Sequence, residues 1–135
     1  MTDIMKQIKE RWNLPKEYLE FLEKNESGIE IDDVKEDVED EFGLANGIAL
    51  YGYSNLIKNQ DGYSYNSIKK EVLEEWPKDY IVIADTGADP FVLDLSQSNG
   101  SDAPVLFAYH GEGKWDFKKH FDSFKIFLDW FNSLR

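Results

Sequence analysis

Three runs of β-branched and aromatic residues follow one another in the second half of this chain, at 80–84 (Tyr-Ile-Val-Ile-Ala), 91–95 (Phe-Val-Leu-Asp-Leu) and 105–109 (Val-Leu-Phe-Ala-Tyr). Each has the length of one strand, and such residues suit the pleated surface of a sheet. The links between them, Gly87-Ala88-Asp89-Pro90 and residues 96–102, have turn compositions and are short enough for antiparallel hairpins. A fourth apolar run, 48–51, is entered through Gly47 and left through Gly52. Beyond Gly111-Glu112-Gly113, Trp115 and Phe117 alternate with charged neighbours.

Helical spacing frames these strands. Ile4, Ile8 and Trp12 recur every fourth position with Thr2 or Asp3 as a candidate cap, and Asn13 interrupts the pattern. Leu14-Pro15 opens a second helix, because proline is tolerated in a first turn; Tyr18, Leu19 and Leu22 share its apolar face, and Asn25, Ser27 and Gly28 end it. Both helices are expected to cover one side of the sheet. Residues 55–57 suggest a single turn of helix. Ile68, Val72, Leu73 and Trp76 predict a longer one over 67–76, closed by Pro77. Asp122 or Ser123 then caps a last helix with the stripe Phe124, Phe127, Leu128 and Phe131. Trp115, Phe124, Phe127 and Leu128 are assigned to the core. The order of helices and strands indicates α+β, not a doubly wound α/β fold. A chain of 135 residues without repeat or linker is expected to form one domain, 1–135.

Composition narrows the function. With no cysteine there are no disulfides, thiolate metal sites or cysteine nucleophiles, in keeping with the cytoplasm. The first residues contain no apolar stretch of the signal-peptide kind, and no run approaches the roughly 18 apolar residues of a membrane span. A net charge of −12 opposes association with nucleic acid and anionic lipid and would attract a basic protein partner, although charge alone is explained more simply by solubility. The charge is concentrated. Between Glu26 and Glu41 lie nine carboxylates and one cation, Lys35, which together make eight of the twelve net negative charges. Ile29, Ile31, Val34 and Val38 are too sparse to bury much of this stretch, which is compatible with a solvated loop, an edge strand or a frayed helix. Glu30, Asp32, Asp33, Glu36, Asp37, Glu39, Asp40 and Glu41 are therefore candidate partner-binding residues. Tyr51, Tyr53, Tyr63 and Tyr65 join them, since tyrosines beside an acidic surface suit a protein interface.

Ile83-Ala84-Asp85-Thr86-Gly87-Ala88 matches the core of the aspartic protease motif, in which two aspartates share a proton. The glycine-rich flap and the later apolar-apolar-Gly strand of such enzymes are missing. The favoured reading is a strand that ends in a tight turn, with Asp85 accepting from backbone amides and Gly87 at positive φ. His110 and His120 do not stand at metal spacing. Asp85, Asp89 and Asp94 match no calcium-loop pattern and read as turn caps. Gly111-Glu112-Gly113-Lys114 is too short for a phosphate loop. No catalytic, metal or cofactor site is assigned.

Taken in order, Leu14-Pro15 with Tyr18-Leu19 and Phe21-Leu22, the turn from Asn25 to Gly28, the strand at 48–52, Tyr80-Ile81-Val82-Ile83-Ala84 with Gly87, Phe91-Val92-Leu93-Asp94, Pro104-Val105, Ser123-Phe124 and Phe127-Leu128 resemble the SUKH superfamily across nearly the whole chain. The resemblance implies an α+β fold with a mixed, mostly antiparallel sheet flanked by helices. For bacterial members it implies an immunity protein that neutralises a secreted or contact-dependent toxin, often a basic nuclease, without being an enzyme. The family also includes regulators, which makes a regulatory interaction scaffold of the same fold the alternative to the leading immunity reading. An aspartic-type hydrolase acting through Asp85 is the enzymatic alternative.

Overall fold

The structure, a computed structural model, describes residues 3–32, 34, 42–44, 47–66, 71–72, 76–87, 89–111 and 114–134. Its elements are α1 (Asp3–Arg11), α2 (Lys16–Lys24), β1 (Ile29–Ile31), β2 (Ile48–Leu50), α3 (Leu56–Ser64), β3 (Tyr65–Asn66), β4 (Glu71–Val72), β5 (Tyr80–Asp85), β6 (Pro90–Asp94), β7 (Val105–Gly111), β8 (Lys114–Phe121) and α4 (Phe124–Asn132). Six strands form one sheet in the order β1-β2-β5-β6-β7-β8, and β3 pairs with β4 separately. The three apolar runs are adjacent strands, as their short links required. Where a mixed sheet was implied, every pairing among the described residues is antiparallel.

Cross-strand register sorts the core into two faces. Ile81, Leu93, Val105 and Phe121 lie opposite one another in one row. On this face α4 lays Phe127 and Trp130 against Phe91, with ring centroids 5.1 and 5.8 Å apart. Helix α2 reaches α4 through Tyr18, whose ring meets that of Phe124 edge-on at 4.9 Å. The other face carries Tyr80 and Phe117, closed by Trp76. Helix α1 is tied to α2 by Lys9–Glu23 and to α3 by Arg11–Asp61. The buried apolar residues form one contiguous cluster.

Helix α3 fills a defect in the sheet. Strand β2 meets only the end of β5, at Ala49↔Asp85 and Leu50↔Ala84. The Gln60 side chain serves the backbone nearer the start of β5: Oε1 accepts from the Val82 N–H at 2.6 Å and Nε2 donates to the Tyr80 carbonyl at 3.2 Å. A buried peptide group left unpaired would cost on the order of 1 to 3 kcal/mol. This anchoring corrects two expectations. The single helical turn at 55–57 extends to Ser64, even though Gly62 in its interior costs roughly 1 kcal/mol of propensity. The helix expected over 67–76 is not formed as such, because Glu71–Val72 is a strand paired with Tyr65–Asn66; residues 67–70 and 73–75 lie outside those described. Trp76, read as the last residue of that helix, is instead fixed by its indole N–H, which donates to the Tyr80 carbonyl at 2.9 Å, and by the rings of Tyr63, Trp115 and Phe117.

Smaller corrections follow the same logic. Ile4 is 37% exposed while Met5 is 3% exposed. The inward face of α1 therefore runs Met5, Ile8, Trp12, with a first step of three residues instead of four. Asp3 is the first residue of α1 and Thr2 lies outside the described residues. Leu95 leaves β6 for a 3₁₀ turn capped by Asp94, whose Oδ1 accepts from the Ser96 N–H at 3.0 Å. Ser123 is the cap of α4, accepting from the Ile126 N–H at 3.1 Å. Phe124 and Phe127 are buried as assigned, whereas Leu128 and Trp115 are only half-buried at the margin of the core.

The acidic stretch is partly resolved into an edge strand, since β1 pairs Ile29 with Leu50 and Ile31 with Ile48 at the rim of the sheet. Gly47, at φ +89°, permits this pairing, because a Cβ there would stand 2.3 Å from the Ile31 carbonyl oxygen. Val34, Phe42 and Leu44 are buried. Phe42 packs edge-on against Phe91, Phe107 and His120, on strands far from β1. Asp33, Glu36, Asp37, Val38, Glu39, Asp40 and Glu41 lie outside the described residues.

Candidate functional site

The β1 edge and the end of β5 enclose a groove of about 400 Å³. Glu30 of the edge strand and Asp32 just beyond it form one side, Ile48, Ala49 and Tyr51 the floor, and Asp85-Thr86-Gly87 the other side. Period-2 alternation builds it. Ile31 turns into the core and is 5% exposed, which leaves Glu30 and Asp32 outward and exposed. Among the described residues neither carboxylate has a cationic or hydrogen-bonding partner.

Asp85 is held differently. Its Oδ1 accepts from the Gly87 N–H at 2.6 Å, with Gly87 at φ +94°, as the turn reading required. Its Oδ2 accepts from the Tyr51 hydroxyl at 3.2 Å and from the Tyr63 hydroxyl. Burial, followed by the Asp85 charge, pushes the Tyr51 phenol well above its ordinary value; burial and the Asp85 bond do the same to Tyr63. Both phenols therefore stay protonated and keep donating. The turn is closed by Thr86, whose hydroxyl donates to the Asp89 carbonyl at 3.1 Å and accepts from the Asp89 N–H at 3.2 Å. Both Asp85 oxygens are thus occupied within the chain, as in a structural turn.

Of the residues singled out in the sequence, the structure brings Glu30, Asp32 and Tyr51 to one groove and sets Tyr63 behind it on Asp85. Tyr53 stands apart, donating to Glu26 Oε1 at 3.0 Å. Tyr65 is placed only as a strand residue of β3. His120 is exposed, with Nε2 2.9 Å from the Tyr109 hydroxyl, and His110 lies in β7. Among the described residues no group of three His, Cys, Asp or Glu could hold a metal. No helix is long and apolar enough to cross a membrane among them either.

The role of Asp85 as the joint between Tyr51, Tyr63 and the turn was only half legible, because its phenol partners are distant in sequence. A second cavity, of about 610 Å³, was not foreseen at all. It lies beyond the start of β5, lined in part by Arg11, Trp12, Asp61, Trp76, Lys78 and Asp79. No local motif announces it, since α1, α3 and the approach to β5 meet there only after folding. Its two cations are matched by two carboxylates. Arg11 is already committed, 2.7 Å from Asp61 and stacked 4.3 Å over the Trp12 ring.

Fold and groove together define an α+β protein with an antiparallel sheet and, on one sheet edge, an acidic rim without a cationic partner among the described residues, a surface suited to cationic side chains. The chain matches the model of the SMI1 / KNR4 family (SUKH-1) over residues 3–130 and belongs to that family. Neither a curated protein nor a solved structure matches it.

Proposed function

We propose that this protein is an immunity protein of the cytoplasm, one domain over residues 1–135, that neutralises a basic toxin by binding it at the β1 edge, and that it is not an enzyme. The observation that carries this reading is the groove in which Glu30, Asp32 and Asp85 converge around Tyr51 while the two carboxylates of the β1 side have no cation among the described residues. Carboxylates held close together repel one another, and a lysine- or arginine-rich surface relieves that repulsion. Complementary potential of this kind raises association rate and specificity more than raw affinity. In the sequence, Asp33, Glu36, Asp37, Glu39, Asp40 and Glu41 follow this edge strand and add to the acidic charge of the chain. Tyr51 supplies an aromatic contact of the type enriched at interface centres. Family membership and the net charge of −12 support the same reading.

The test is functional. The product of a neighbouring toxin gene is expressed with and without this protein. Protection of the host, and a stable complex of the two purified proteins, are expected. Full toxicity in the presence of folded protein overturns the reading. Acid-optimum peptide hydrolysis that disappears in Asp85→Asn would move the protein to the enzymatic alternative.

A further inference from the structure

Strand β5 has a hollow at each of its ends. The acidic groove lies at Asp85, and the cavity of about 610 Å³ lies beyond Tyr80, about 17 Å away along five steps of extended chain. A volume of that order holds a small molecule.

Separate backbone bonds fix its walls. The turn Pro77-Lys78-Asp79-Tyr80 is closed by the Tyr80 N–H, which donates to the Pro77 carbonyl at 3.1 Å. The same turn is moored to Leu95, whose N–H donates to the Asp79 carbonyl at 2.8 Å. The loop at Ser98 and Gly100 is tied to α2, because the Gly100 carbonyl accepts from the Lys16 N–H at 3.0 Å. Trp12 continues the hydrogen bonding of α1, donating its N–H to the Ile8 carbonyl at 3.0 Å. The shape of the cavity is therefore set by the fold, as in most small-molecule sites.

Four apolar side chains line it, Trp12, Leu14, Trp76 and Leu95. Its ionic groups fall into two pairs. Arg11 and Asp61 neutralise each other at 2.7 Å. Lys78 and Asp79 line the same cavity, and among the described residues neither side chain has an ion-pair or hydrogen-bond partner. An anionic ligand would be repelled at long range by the net charge of −12, and a cationic one would be drawn as well to the acidic groove. A neutral ligand would take water from both charges and return nothing. Only a zwitterion compensates both, and the net charge of the chain neither attracts nor repels it.

Spacing narrows the class further. Lys78 and Asp79 are consecutive, with Cα atoms about 3.8 Å apart, which favours a ligand whose two charges are close neighbours. An α-amino acid carries both on one carbon, whereas a peptide holds its ends apart by at least one more residue. We propose that this cavity binds a free α-amino acid with an apolar side chain, the carboxylate on Lys78, the ammonium on Asp79 and the side chain among the four apolar residues. The proposal does not rest on what the acidic groove binds.

Titration of the full chain with L-phenylalanine and with L-leucine tests it, followed by calorimetry and by indole fluorescence, since Trp12 and Trp76 line the cavity. At least one of the two is expected to saturate with Kd below about 5 mM and to raise Tm, because a ligand that binds only the folded chain stabilises it. Its N-acetyl derivative, which lacks the ammonium, and its amide, which lacks the carboxylate, should each bind roughly tenfold more weakly. Lys78→Gln and Asp79→Asn should each weaken the parent amino acid by a similar factor while melting with the parent when no ligand is present. Glu30→Gln/Asp32→Asn, at the other end of β5, should bind it unchanged. Failure of both amino acids to saturate in that range overturns the proposal. So do derivatives or Lys78 and Asp79 variants that bind with the parent's affinity, because the cavity would then ignore charge.

Discussion

Truncating Asp85 to alanine removes the acceptor on which two phenols and a turn amide converge. The Gly87 N–H is on the exposed side of the turn and can turn to water, so its loss costs little. The Tyr51 hydroxyl belongs to a residue only 6% exposed, and stranding it costs about 1 to 2 kcal/mol. The Tyr63 hydroxyl, on a half-buried residue, adds roughly half as much. The sum is about 1.5 to 3 kcal/mol, which for a domain of this size lowers Tm by roughly 6 to 12 °C. Asp85→Asn keeps one acceptor oxygen and should cost about 1 kcal/mol. Thermal and urea unfolding followed by tryptophan fluorescence would measure all of this. The decisive comparison is Asp85→Ala in a Tyr51→Phe/Tyr63→Phe background, where its cost should fall below about 1 kcal/mol because the coupled groups are gone. If Asp85→Ala melts with the parent, or costs as much without the phenols as with them, the joint is not what holds the turn.

Tyr18→Phe is expected to be neutral or stabilising by about 1 kcal/mol, because the Tyr18 hydroxyl is fully buried and finds no partner among the described residues; a clear fall in urea midpoint would show that the hydroxyl is satisfied. Burial raises the Tyr18 phenol above its ordinary 10.0, and burial with the Asp85 charge raises Tyr51. The unfolded chain therefore loses these protons first, and stability present below pH 10 falls as pH rises, by at most about 1.4 kcal/mol per unit for each phenol. Tyr18→Phe should flatten that alkaline limb, and an unchanged slope would refute the assignment. Asp102→Ala should cost about 2 kcal/mol, since Oδ1 accepts from the Phe124 and Ala103 N–H groups, each at 2.7 Å, and Oδ2 from the Lys125 N–H at 3.2 Å, at the start of α4; a loss under half a kcal/mol would remove it as a cap. Phe127→Ala should cost about 3 to 5 kcal/mol and Leu128→Ala clearly less, because only Phe127 is fully buried; equal costs would contradict the packing.

Legibility from sequence followed the range of the forces. Strands β5, β6 and β7 and helix α4 were readable because alternation, turn residues and an apolar stripe are local. The register of α1 was missed by one residue because Ile4 and Met5 are equally apolar and only packing chooses between them. Helix α3 was misplaced because Gln60 holds it, and a polar side chain that completes a sheet 20 residues away leaves no periodic trace. The acidic surface was legible as charge but not as shape. That Glu30 and Asp32 face Asp85 across a groove follows from the pairing of β1 with β2 and of β2 with β5, which no single segment encodes.

The central claim is that the groove edge captures a basic partner, and the association rate tests it most directly. Stopped-flow mixing of the cognate toxin with the parent and with Glu30→Gln/Asp32→Asn would be run across a range of ionic strength. Both positions are exposed and have no partner among the described residues, so the variant should melt with the parent. At low salt its association should be slower by about threefold to tenfold, with a flatter salt dependence, and the two rates should converge as screening increases. Dissociation should change far less. Equal association rates at low salt, with the same salt dependence, would contradict the account.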